Sequence, residues 1–219
     1  MLNLMSGENI QSVGYQRLLL LLALNLIPLL GVILWQWDIF TVILLFWLEN
    51  AVIGVFNWFK ILGCRGSKNK QPQTIKWYAN LGLAMFFLVH YGFFTSGHGM
   101  VLLDIFNKDF AGAPWEVWLW LKQWLDTIDG TLWLAILAMI AYWLFDFIQF
   151  WLHERQTQPA NKQMMEPYSR IVIAHLVLLF GAFVVMKFGF ELAIVILLVL
   201  VKTFINYHDL LKKQAESSQ

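Results

Sequence analysis

Two groups of polar side chains stand inside long apolar stretches, where a charge at the bilayer centre costs at least about 2.5–3.5 kcal/mol on insertion scales. The first is Glu49 in "FWLEN", with His90 in "LVHYGFF" and His98 in "SGHG". A carboxylate oxygen and imidazole nitrogens are suitable ligands for zinc or non-haem iron, and a bound ion would polarise an oxygen or lower the pKa of its water. The candidate metal set is therefore Glu49, His90 and His98. Regular helix holds the two histidines about 12 Å apart, so both reach one ion only if the helix breaks near Gly92 or Gly97. The plainer alternative is a Glu49–His90 pair that holds two helices in register.

The second group is Asp146 in "LFDFIQ", His175 in "VIAHLV" and Lys202 in "LVKTFIN". Each falls about 7–10 Å inside the end of its stretch, placing an acid, an imidazole and an amine at one level. An Asp146–Lys202 ion pair beside His175 would make a proton-responsive or anion-binding pocket, and Asn25, Asn50, Asn206 and His208 extend it. Lys202 snorkelling to the headgroups is the structural alternative. Ser96 lacks a Gly-x-Ser-x-Gly elbow, and no catalytic residue is assigned.

Such residues need helices to hold them, and the composition says of what kind. Hydrophobic residues make up 59% of the 219 and charged ones only 13%, against a globular norm of roughly 25% charged. The chain reads as a membrane protein whose first partner is the lipid bilayer, and its twelve tryptophans suit the headgroup level. A net charge of +1 without a clustered basic face excludes nucleic acid as a partner. Cys64 is the single cysteine, which excludes an intrachain disulfide and a thiolate-rich metal site.

Six stretches satisfy the length rule of about 20 residues: Leu18 to Trp37, Ile39 to Leu62, Trp77 to Ile105, Leu132 to Leu152, Ile171 to Lys187 and Phe190 to Tyr207. The first is too long for a signal-peptide core and reads as a retained span. The loop from Lys60 to Lys76 carries five basic residues and that from His153 to Arg170 three, which puts both loops and both termini in the cytoplasm. Between the third and fourth spans, Pro114 to Ile128 has helical apolar spacing interrupted by Glu116, Lys122, Gln123 and Asp126, an interfacial helix. The expected fold is all-α: a polytopic bundle of about six transmembrane helices (18–207) plus that interfacial helix (about 114–128), between a cytoplasmic N-terminal segment (1–17) and tail (208–219).

The motifs "FWLEN", "FFLVHYGFFTSGHG", "EPYSRIVIAHLVLLFG" and "KTFINYHD" together resemble an uncharacterised family of bacterial multipass membrane proteins of unknown function. The resemblance implies a bacterial inner-membrane location and a compact helical bundle, and it carries no catalytic roles. The leading expectation is a membrane-embedded metal-binding protein, with zinc or iron, acting on a lipid or other apolar substrate. The alternative is a small transporter or channel with a proton-responsive polar pocket, for which a homo-oligomer could supply symmetry. Haem is disfavoured because His90 and His175 lie roughly 12 Å apart in depth. In a structural or partner-binding subunit, the polar groups would serve packing alone.

Overall fold

The computed structural model describes residues 7–66, 77–106, 112–126, 128–168, 171–172, 196–197, 199–201, 203–204 and 207. Every element among them is helical: α1 (Gly7–Trp35), α2 (Ile39–Gly63), α3 (Trp77–Phe106), α4 (Glu116–Leu125) and α5 (Gly130–Gln149). A π-helical turn, Phe150–Glu154, continues α5, and residues 160–168 form a further helix, α6.

The central element is α2. Its residues from Val42 to Glu49 are buried without interruption, which a helix achieves only with neighbours on all sides. Those neighbours are α3, α5 and α1. The α1–α2 turn follows from local chemistry. Gln36 takes a positive φ of 54°, and the Trp37 N–H donates back to the Gly31 carbonyl at 3.1 Å. The Trp37 ring then folds over Gly31, where an added Cβ would come within 2.1 Å of it. Asp38 caps α2 by accepting from the Thr41 N–H at 2.6 Å, and Asp129 caps α5 by accepting from Leu132 N–H at 2.9 Å. Hydrogen bonds from the Leu132 N–H and the Thr131 hydroxyl hold the Asp129 carboxyl below the usual carboxylate range.

Three helices, Phe40–Gly63, Tyr78–Ile105 and Gly130–Glu154, are long and apolar enough to cross a membrane, and α1 contributes a shorter apolar stretch, Leu22–Trp35. Six transmembrane helices are therefore not what the described residues display. The expected fifth and sixth stretches fall mostly outside them. α1 is helical from Gly7, ahead of the apolar stretch expected to begin at Leu18.

The α4 helix is where the sequence puts it, somewhat shorter than 114–128. Val117 and Leu121 are buried, while Trp115 and Leu119 are exposed. The Trp118 indole donates to Ser96 Oγ at 2.7 Å, and Trp47 donates to the Thr95 carbonyl at 2.8 Å. The first bond ties α4 to α3 and the second ties α2 to α3.

Candidate functional site

A polar assembly begins on one face of α2, where Glu49, Ile53, Asn57, Lys60 and Cys64 follow one another at helical spacing. Lys60, in the last turn, is buried and its Nζ lies 2.5 Å from Asp146 Oδ2 of α5. The same ammonium sits 5.3 Å from the centre of the Phe150 ring, a distance at which the aromatic face attracts a cation.

One turn farther into α2, Asn57 meets α6. Gln163 Nε2 donates to Asn57 Oδ1 at 2.7 Å and to Glu166 Oε2 at 2.8 Å. Gln158 Nε2 donates to the other Glu166 oxygen at 3.3 Å. Asn57 is 4% exposed and Gln163 1%, so these amides are as buried as the surrounding leucines. Because Gln163 spends its NH2 group on two acceptors, Asn57 Nδ2 and Gln163 Oε1 find no partner among the described residues, nor does Gln149 Oε1. Orphaned buried polar atoms of this kind cost roughly 1–3 kcal/mol each unless a small guest or water satisfies them.

Cys64 closes the Gly63 end of this centre, and Asn80 of α3 donates to its carbonyl at 2.8 Å. Burial, with Glu166 adding to it against the opposing effect of Lys60, pushes the thiol from an ordinary 9.0 up to about 12. At neutral pH its thiolate fraction is then roughly a thousandfold below that of a free cysteine. Maleimide labelling of the folded protein should accordingly be negligible over times that fully label the denatured chain, and rapid labelling would contradict the burial.

The residues singled out in the sequence are dispersed. Glu49 is buried, and the Trp143 indole donates to its Oε1 at 3.3 Å. His90 lies elsewhere: it is exposed, hydrogen-bonds through Nδ1 to the Tyr168 hydroxyl at 2.9 Å, and stacks on Phe86. His98 donates from Nδ1 to the Phe94 carbonyl at 2.7 Å. Since α3 runs without a break from Trp77 to Phe106, the two histidines stay about 12 Å apart along its axis and cannot share one ion. Among the described residues no three His, Cys, Asp or Glu side chains come together as a metal site.

Of the second group, Asp146 is buried and pairs with Lys60 of α2. His175, Lys202, Asn206 and His208 lie outside the described residues. Asn25 Nδ2 donates to Thr203 Oγ1 at 3.2 Å. Asn50 Nδ2 donates to the Phe46 carbonyl at 3.1 Å, and the Asn50 carbonyl accepts from the Tyr91 hydroxyl at 3.0 Å.

Sequence reasoning missed Lys60, Asn57, Gln163 and Glu166. A signal was present for the first two, which continue the face of Glu49 at i+11 and i+8 on α2. For Gln163 and Glu166 the i, i+3 spacing around the small Ala160 was the only trace.

Among the described residues the fold is all-helical, with three helices of membrane-crossing length and apolarity and its amides and ion pair gathered inside, an arrangement compatible with the class of helical membrane proteins. Within that class the chain belongs to DUF6498, a family of unknown function whose model matches residues 11–219. No curated protein and no solved structure matches it.

Proposed function

We propose that this is a small transport protein of the bacterial inner membrane, with six spans and both termini cytoplasmic. In this reading, protons enter from the cytosolic side through the polar centre between α2, α5 and α6. The observation that carries this reading is α6 itself. A segment holding Gln163 and Glu166 packs against Asn57, roughly 9 Å from the Gly63 end of α2, and its Tyr168 hydroxyl reaches His90 near the middle of α3. Polar backbone and side chains at such depth persist where they are enclosed by protein or line a hydrated path. Clamping helices would require only satisfied pairs, whereas Asn57, Gln163 and Gln149 each keep a buried polar atom that finds no partner among the described residues.

The path would begin at Gln158 and Glu166, pass the Asn57–Gln163 amides and lie alongside the Lys60–Asp146 pair. Ionisable groups inside membrane bundles commonly mark such relays.

Reconstitution into liposomes with an entrapped pH dye tests the reading. With an inward-driving potassium diffusion potential, vesicles containing the protein should acidify faster than protein-free vesicles. Gln163→Leu should bring the rate back to the protein-free value while the protein still elutes as a single folded species. Rates indistinguishable from empty vesicles for the unaltered protein would leave helix packing as the role of the centre.

A further inference from the structure

Two of the helices long enough to cross a membrane end side by side, one at Gly63 and the other at Glu154, and an arginine follows each. The chain beyond α2 is pinned to the π-helical turn. The Arg65 N–H donates to the Arg155 carbonyl at 2.8 Å, and the Gly66 N–H donates to the Gln158 carbonyl at 3.1 Å. The wide turn itself places Arg155, whose N–H donates to the Phe150 carbonyl at 3.0 Å. Its guanidinium lies 4.6 Å from the centre of the Trp151 ring. That ring is held in turn: a Cβ at Gly63 would collide with it, and the Phe147 ring packs against it with centroids 5.7 Å apart. Trp151 is still exposed, as are Leu152 and Ile148. Arg65 is exposed too, and the neighbouring carboxylate residue, Glu154, is half-buried. Among the described residues neither guanidinium is paired with a carboxylate.

We infer that this corner binds the headgroup of an anionic phospholipid, a phosphodiester with no ammonium of its own, from the leaflet at this end of the bundle. Tryptophan and arginine both suit the headgroup level. Stacking on the indole occupies the flat face of the Arg155 guanidinium and leaves its N–H edge for two parallel bonds to a phosphate. Arg65, one backbone hydrogen bond away, adds a second positive charge, and a zwitterionic headgroup would bring its own cation against it. Leu152 and Ile148, one helical turn apart, continue from the arginines toward the hydrocarbon and give an acyl chain its contact. A soluble anion would leave that apolar track unused. This site requires only the membrane placement in the proposed function, not the proton path.

The test uses the full chain in nanodiscs of equal parts phosphatidylglycerol and phosphatidylcholine, with the lipids retained on the released protein counted by intact mass spectrometry. Phosphatidylglycerol should be retained at least about fivefold over phosphatidylcholine, the factor that one arginine near an anionic surface contributes. Arg155→Gln and Arg65→Gln should each cut the preference severalfold. Arg155→Lys should cut it nearly as far as Arg155→Gln, because an ammonium keeps the charge without the flat face or the fork. A readout on the unaltered protein guards against misfolding of these variants: a phosphatidylglycerol with a photoreactive headgroup should label the Trp151–Arg155 peptide above all others. Equal retention of the two lipids, a preference untouched by the arginine substitutions or fully kept in Arg155→Lys, or labelling spread evenly over the chain would each overturn the site. A chain that never enters nanodiscs would overturn the membrane placement and this site together. Absence of proton flux with the lipid preference intact would remove the transport reading and leave this site standing.

Discussion

Replacing Lys60 with Met, or Asp146 with Leu, should lower the stability of the detergent-solubilised protein by about 3–5 kcal/mol, the loss typical of stranding one partner of a buried ion pair. The two side chains are 7% and 12% exposed and 2.5 Å apart, so neither remaining charge could turn to water without unpacking a helix end. The double substitution should recover most of that loss, since an apolar pair removes both desolvation penalties together. Chemical denaturation of the two single variants and the double variant, followed by tryptophan fluorescence, gives the coupling directly. Single variants within about 1 kcal/mol of the parent would place the pair in the class of solvated surface bridges. A double variant as unstable as the singles would mean that shape at this position matters more than charge.

The second large effect concerns a close approach of α2 and α3 at Gly54. A Cβ added at Gly54 would lie 2.5 Å from Tyr91 Cε1 and 2.9 Å from its Cδ1. The ring has little freedom to yield: Tyr91 is 4% exposed, its hydroxyl is tied to the Asn50 carbonyl, and it stacks on Phe87. Gly54→Ala should therefore destabilise by roughly 1–3 kcal/mol through overpacking, although helix propensity alone would favour alanine by about 0.5–1 kcal/mol. Gly82→Ala and Gly92→Ala supply the contrast. Nothing lies within 4 Å of a Cβ at either site, so propensity should win there and the melting temperature should hold or rise. A Gly54→Ala variant as stable as the parent would show that α2 and α3 can separate freely.

The elements were largely readable from the sequence because apolar length alone defines a helix in a bilayer. The α2, α3 and α5 spans fall close to their expected limits, and Asp38 caps α2 where the "WQWD" turn ends. The site was less legible, for two physical reasons. Glu49 and Asp146 stood out as single charges inside hydrocarbon, yet a sequence gives their depth and not their rotation about the helix, so His90 was matched to Glu49 when it faces Tyr168. Lys60 and residues 160–168 were assigned to loops because polar residues at a stretch's edge normally meet water. In the fold their partners, Asp146 and Asn57, come from other helices, and this tertiary pairing outweighs local hydropathy. Lys202, the cation expected for Asp146, lies outside the described residues, and Lys60, which does pair with Asp146, was never among the candidate cations.

The position of α6 also constrains the order of biogenesis. A helix carrying Lys162, Gln163 and Glu166 is too hydrophilic to partition into lipid on its own as it leaves the ribosome. Among the described residues, Gln163 bonds to Asn57 of α2 as well as to Glu166 of its own helix, and Tyr168 bonds to His90 of α3; α2 and α3 are both synthesised earlier. Insertion of α6 is then a late event templated by an already assembled α2–α3 pair, and nascent chains halted before that pair docks should hold this segment in the aqueous phase.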